Sequence, residues 1–159
     1  MKKNLKPFNV LELFCVFAII ITSVYILIPR VLVYRDNAVK TVLKANIREL
    51  SNYVIIQQST LDKLSVNMDL DSREDVIYDF LVGEDANIEV LKNPVTKGNK
   101  ITKYYDEIDN IEECSLILKE QENGELQGDG VIYIELDKDS YCIYGMYKGE
   151  KIGENIITY

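Results

Sequence analysis

A long apolar run near the start of the chain limits its folding more than any other feature. The run extends from Phe8 to Ile28, carries one acid, Glu12, in its first part, and is followed by Pro29. As a helix rising about 1.5 Å per residue, residues 8 to 28 would cover roughly 32 Å, which is enough to cross the hydrocarbon core of a bilayer. The segment therefore predicts one transmembrane helix.

The residues on either side of this run bear on two questions: its orientation in the membrane, and whether it is a cleaved signal peptide. Lys2, Lys3 and Lys6 precede it, as in a secretory signal peptide. A signal peptide, however, has a shorter apolar core that ends at a small-residue cleavage site, and none follows Ile28. Lys and Arg are similarly frequent on both sides, so the positive-inside rule leaves the orientation open.

Glu12 is the first candidate functional residue. An ionised side chain at membrane depth costs a few kcal/mol on insertion scales, so it persists where something compensates it. In the simplest alternative, the carboxylate reaches back to the headgroup interface from a position near the helix end. We favour a role in docking to another chain.

The N-terminal pattern resembles that of type IV pilins and pseudopilins. It consists of Phe8, an acid four residues later, an unbroken apolar stretch and Pro29-Arg30. The resemblance continues through residues 31 to 50, where pilins carry an amphipathic continuation of the same helix. Residues 93 to 96 (NPVT) and 131 to 153 resemble the terminal part of pilins from Gram-positive, clostridium-like bacteria. The implied fold is α+β, with a long N-terminal helix packed on a C-terminal antiparallel sheet.

This resemblance also implies a function. Prepilin peptidase would cleave between Pro7 and Phe8, the new amine would be methylated, and Glu12 would attract the amine of a neighbouring subunit. The partners would be homologous pilin subunits, the membrane and the pilus assembly machinery. The chain would first be a single-pass cell membrane protein with a cytoplasmic N-terminus. It would then join an extracellular filament used in adhesion, twitching motility or DNA uptake.

Two positions depart from the family pattern. Pro7 stands where prepilins carry glycine, and proline restricts both its own backbone and that of the residue before it. Residues 21 to 23 (ITS) stand where major pilins carry glycine and alanine. The second departure favours a minor or specialised subunit.

Two other functions remain as alternatives. One is a pseudopilin of a type II secretion-like or competence system. The other is a single-span membrane protein with a sensory or binding ectodomain. The chain has no histidine, no Gly-rich phosphate loop and no cysteine spacing suited to zinc, so we expect no catalytic site, no cofactor and no metal.

The predicted domain organisation follows from the apolar run and from charge. Residues 1–7 form a basic leader, 8–28 the transmembrane half of the helix, and 29–159 an extracellular domain that includes an amphipathic helix half over about 31–60. Pro29 predicts a helix kink. Residues 61–159 hold an excess of acids, which argues against nucleic-acid binding because phosphate affinity depends on Lys and Arg.

Hydrophobic spacing predicts the elements of the extracellular domain. A stripe with spacings of three and four indicates a helix face that covers a sheet; it comprises Val39, Val42, Leu43, Ile47, Leu50 and Val54. Ser72 to Asp75 has the form of a capping box that starts a short second helix. Strand-like runs between turn signals cover 88–91, 115–119, 131–136, 141–147 and 152–159.

The cysteines leave one question open. Cys114 and Cys142 lie in the predicted exported part, where a disulfide is favoured by the redox environment. In a simple meander, however, the strand over 131–136 would separate them by about twice 4.8 Å, more than a disulfide spans. Either the bond is absent or the strand order is different. Cys15 lies inside the apolar run and is expected to be an ordinary packed residue.

Overall fold

The chain folds as an α+β protein. The computed structural model describes residues 9–65, 70–82, 91–104, 108, 110–120, 128–138 and 140–158, and for 57–65 and 70–73 it describes the backbone only. In order, the elements are α1 (Val10–Ser65), α2 (Leu70–Val82), β1 (Lys100–Lys103), a 3₁₀ turn (Ile111–Glu113), β2 (Cys114–Glu120), β3 (Ile132–Leu136), β4 (Ser140–Tyr147) and β5 (Glu150–Thr158).

The chain divides into two compact units, and the boundary falls between Ala38 and Val39, inside α1. In the first unit, the described part of α1 is strongly apolar and its large side chains are exposed. It is long enough and apolar enough to cross a membrane. The second unit contains the rest of α1, α2 and the sheet.

The sheet has five strands in the order β1-β2-β3-β4-β5. β3, β4 and β5 are antiparallel neighbours, but β1–β2 and β2–β3 are parallel pairs. The predicted antiparallel sheet is therefore wrong for these two pairs, and the sheet is mixed. Residues 121–131 connect β2 to β3, and a connection of this length can return the chain to the opposite end of β2, which a hairpin turn cannot.

α1 packs on the sheet through the predicted stripe, with one correction. Leu43, Ile47 and Leu50 are at most 3% exposed and form one core with inward-facing strand residues. Val42, which was also assigned to the stripe, is 43% exposed. It lies at the side of the helix because its position in the 3.6-residue period falls outside the face that meets the sheet.

Helix α2 also covers the sheet, but it begins earlier than predicted. It starts at Leu70, so Ser72 lies inside the helix and the segment from Ser72 to Asp75 does not form its N-terminal cap. Its buried face contains Ile77 and Leu81, which belong to the same core as α1. The second predicted helix is therefore confirmed, and its predicted start is wrong.

Most of the predicted strands are present. β2, β3, β4 and β5 match four of the predicted runs to within a few residues. In the remaining run, residues 88–90 lie outside the described residues, and Leu91 is not in a strand. The sequence interpretation missed β1, which has only four residues and two lysines.

Candidate functional site

Glu12 lies in the first turn of α1, at the third helical position. The backbone N–H of Asn9, the residue before the helix, donates a hydrogen bond of 3.2 Å to Glu12 Oε2. A carboxylate in this position that accepts this N–H forms one half of a capping box. Glu12 therefore has a local role as a helix cap. Pro7 and Phe8, the predicted processing site, lie outside the described residues.

The polar residues within the apolar part of α1 have local explanations. The Thr22 hydroxyl lies 2.9 Å from the carbonyl oxygen of Ala18 and 3.0 Å from that of Ile19, so its donor is satisfied without water. Such back-bonding tends to bend a helix slightly. α1 continues as helix through Pro29, which lines a shallow groove with Arg30, Val33 and Tyr34.

Aromatic and basic side chains follow one another where the apolar part of α1 ends. Tyr25 is 82% exposed and Tyr34 is 74% exposed, and Arg30 and Arg35 are exposed as well. Tyrosine and arginine are typical of the boundary between hydrocarbon and headgroups, because each has an apolar stem and a polar tip. This composition suits a helix that leaves a bilayer near residues 25–35.

Cys114 and Cys142 are free thiols. β3 lies between their strands. Cys142 of β4 is paired with Glu135 of β3, and Glu135 is paired with Lys119 of β2. Lys119 is five residues along β2 from Cys114. At about 3.3 Å per residue and 4.8 Å per strand, their Cα atoms are roughly 19 Å apart. A disulfide needs about 4.4–6.8 Å. The bond that the sequence left open is therefore not formed.

Neither thiol is poised for nucleophilic chemistry. Burial raises the pKa of Cys114. Burial, together with the hydrogen bond from Cys142 Sγ to Glu154 Oε1, raises the pKa of Cys142 to about 12. The thiolate is the reactive form of cysteine, so both residues are inert near neutral pH.

A buried polar cluster lies on the sheet face opposite α1. Lys119 Nζ is 3.3 Å from Glu135 Oε2, and the Tyr144 hydroxyl donates to the same oxygen at 3.1 Å. Lys119 is only 4% exposed. Burial and the Glu135 carboxylate raise the pKa of Tyr144, so its phenol stays a neutral donor. The cluster joins β2, β3 and β4, and the arrangement suits strand alignment.

Asn93 organises the loop that precedes β1. Its side-chain amide donates to the carbonyl oxygens of Cys114 (3.1 Å) and Asp129 (3.0 Å), and its Oδ1 accepts from the backbone N–H groups of Val95 and Thr96. A cavity of about 310 Å³ lies beside this loop, lined by Val95, Thr96, Ile111, Glu112, Gly128 and Asp129. The loop is therefore tied to two other parts of the fold.

Sequence reasoning missed both of these polar sites. Asn93 entered the sequence interpretation only within the resemblance of residues 93 to 96, but two of its four side-chain hydrogen bonds join segments distant in sequence. Lys119 ends one apolar strand run and Glu135 lies within another, and a charge in such a run is the one available signal of a buried pair. Among the described residues, no group of three or more His, Cys, Asp or Glu side chains is arranged to hold a metal ion.

Comparison with protein-family models, with curated proteins and with solved structures finds no match. The functional interpretation of this chain therefore depends on its own residues and geometry. Two features carry most weight: the exposed apolar part of α1 with Glu12 in its first turn, and the α+β unit that contains the rest of the same helix.

Proposed function

We propose that this chain is a type IV pilin-like structural subunit. In this proposal, a membrane holds the chain by the apolar part of α1 until it assembles through the same helix into a surface filament. The supporting observation is one continuous helix, Val10–Ser65, whose first part exposes large apolar side chains and whose later part forms the core of an α+β unit.

The exposed apolar side chains need an apolar environment. A surface of this size is unfavourable in water, and large exposed apolar patches mark membrane or protein interaction sites. Lipid can cover the helix before assembly, and the corresponding helices of other subunits can cover it afterwards. One surface would thus serve both the stored and the assembled state.

Glu12 would specify how subunits dock. In the filament its carboxylate would pair with the amine of a neighbouring chain that begins at Phe8. Desolvation offsets much of the Coulomb attraction in a buried ion pair, but removing one partner leaves the other unpaired and costs about 3–5 kcal/mol. Such a pair therefore selects one register more than it adds stability.

The first experiment measures the N-terminal mass of the protein from cells. Membranes and sheared surface material are analysed separately. A chain in the sheared fraction that begins at methylated Phe8 supports a processed filament subunit. A chain that begins at Met1 and occurs in membranes alone contradicts the proposal.

Two variants of Glu12 separate docking from helix capping. Glutamine at the third helical position still completes a capping box, whereas alanine does not. We expect Glu12→Gln and Glu12→Ala both to lose filament incorporation, since each removes the charge. Glu49→Gln, which neutralises an exposed acid further along α1, is the control and should assemble normally. If Glu12→Gln assembles like the parent and Glu12→Ala does not, Glu12 is a cap and the docking role is wrong.

One observation favours a second candidate, a single-span protein with a binding ectodomain. The cavity of about 310 Å³ beside Asn93 is large enough for a small ligand and is lined by both apolar and acidic residues. In such a protein, replacing Glu12 should scarcely affect the chain's location or level, and no chain should be recovered in sheared surface material.

A further inference from the structure

α1 and α2 lie side by side on one face of the sheet. The rings of Tyr53 on α1 and Phe80 on α2 are 5.3 Å apart, and both helices contribute to one core. α1 covers β4 and β5, because Leu43 lies over Gly145 and Lys44 lies over Gly153. α2 contacts β1 and β2. The two helices thus approach opposite edges of the sheet.

The side of α1 nearest β5 is basic. We define the basic flank as Lys40, Lys44, Arg48 and Ile55. Lys40 forms an ion pair of 3.0 Å with Glu150 at the start of β5. This side of the helix therefore lies at the β5 edge of the sheet. Lys44 and Arg48 are exposed, and the described residues include no ion-pair partner for either. Ile55 is 49% exposed.

The exposed side of α2 is acidic. We define the acidic stripe as Asp75, Asp79 and Val82, which are exposed and recur at spacings of four and three on one helix face. Lys103 of β1 pairs with Asp75, so the stripe lies on the β1 side of the helix layer. No ion-pair partner for Asp79 is found in the described part of the chain. Val82 is 48% exposed.

The two surfaces are opposite in charge, and their charged residues have the same spacing. Lys44 and Arg48 are four residues apart on α1, and Asp75 and Asp79 are four residues apart on α2. In each pair the two Cβ atoms are about 5–6 Å apart, so both cations of one copy can face both carboxylates of another. Each surface also has an exposed aliphatic residue: Ile55 lies seven residues after Arg48, and Val82 lies three residues after Asp79.

We propose that the basic flank of one copy of this chain binds the acidic stripe of a second copy. Since the two surfaces lie at opposite edges of the same molecule, the contact is heterologous and can repeat from copy to copy, as an open helical filament requires. The inference rests on the proposed filament function. It adds the surfaces through which the compact units formed by residues 39–159 of neighbouring copies contact one another. Charged surfaces of this kind set register and orientation more than they add affinity.

The first test is crosslinking of the full chain in membranes of producing cells. Ile55→Cys and Val82→Cys are combined in one chain and treated with a short bismaleimide, with the parent chain as baseline for Cys15, Cys114 and Cys142. We expect a ladder of dimers, trimers and longer species from the double variant and none above baseline from either single variant. Dimers from a single variant, or no ladder from the double variant, overturn the inference.

The second test is a charge exchange in the same crosslinking background. Arg48→Asp or Asp79→Arg alone should reduce the ladder several-fold, because each places like charges opposite one another. The two together in one chain should restore it. Lys92→Asp, which reverses an exposed lysine outside both surfaces, should leave the ladder unchanged. Failure of the double exchange to restore the ladder contradicts the contact.

These outcomes are distinct from those that test the filament itself. One outcome is that the parent chain enters sheared filaments in a Glu12-dependent manner while the charge exchange leaves the crosslinked ladder unchanged. In that case the inference is wrong and the proposed function stands. If no chain reaches the surface but the charge-dependent ladder forms in membranes, the contact stands and the filament function fails.

Discussion

Gly145 on β4 lies directly beneath Leu43 of α1. A Cβ atom at Gly145 would stand 3.2 Å from Leu43 Cδ2, closer than most such contacts. The absence of a side chain at this position lets the helix approach the sheet closely, as glycine in a strand often does. Leu43 is fully buried as a result. This contact is one part of the core between α1 and the sheet.

Leu43→Ala should therefore destabilise the second unit substantially. The substitution removes buried methyl groups and leaves a cavity, which typically costs about 2–5 kcal/mol of unfolding free energy. Val42→Ala is the matched control, because the neighbouring valine is 43% exposed and its loss should cost no more than about 0.5 kcal/mol. Urea unfolding of the purified chain in detergent measures both. Equal effects of the two substitutions would contradict the packing described here.

Asn93→Ala should loosen the loop before β1. The change removes four side-chain hydrogen bonds and leaves the carbonyl oxygens of Cys114 and Asp129 without this donor, at a cost of about 1–3 kcal/mol or more. Hydrogen exchange should rise at the backbone N–H groups of Val95 and Thr96. Asn52→Ala, at an exposed position on α1, is the control. Unchanged exchange at Val95 and Thr96 would show that Asn93 does not hold the loop.

The helices and most strands could be predicted because their signals are local. The stripe from Val39 to Val54 follows the helical period, and β3 and β4 are apolar runs between turn residues. Val42 could not be excluded from the core, since three- and four-residue spacings define a face only to within one neighbouring position. β1 gave no such signal, because a four-residue strand with two lysines lacks an apolar run.

The strand directions and polar sites depended on contacts that are distant in sequence. β2 and β3 are buried on both faces, and such short apolar runs occur both in parallel sheets and in sandwich cores, so the sequence did not reveal their parallel pairing. Asn93 acts through backbone groups more than 20 residues away, and its sequence neighbours indicate a turn alone. The sequence identifies Glu12 as an acid in an apolar run, but only the structure shows its hydrogen bond with Asn9.

The ion pair between Lys119 and Glu135 should be strongly coupled in a double-mutant cycle. Lys119→Met alone should cost up to about 3–5 kcal/mol, because the largely buried Glu135 carboxylate would lose its ion-pair partner. Glu135→Gln in addition should recover much of this cost, since a neutral amide oxygen can still accept from the Tyr144 hydroxyl. Denaturant unfolding in detergent gives the four free energies.

The exposed pair Lys40–Glu150 provides the comparison for this cycle. Its side chains are 38% and 68% exposed, so a corresponding cycle should show coupling of about 0.2–1 kcal/mol. Similar coupling energies in the two cycles would mean that burial does not govern the strength of the Lys119–Glu135 pair.

Stability should fall in strongly alkaline solution, in part because of Cys142. Its pKa is raised from 9.0 to about 12, by burial and by the hydrogen bond to Glu154. The folded state therefore holds the proton more tightly than the unfolded chain, so this contribution is complete below pH 9 and is lost as pH rises toward 12. Cys142→Ala should flatten the decline in unfolding free energy over this range. If Cys142→Ala and the parent decline in parallel, the proton on Cys142 does not contribute to alkaline sensitivity.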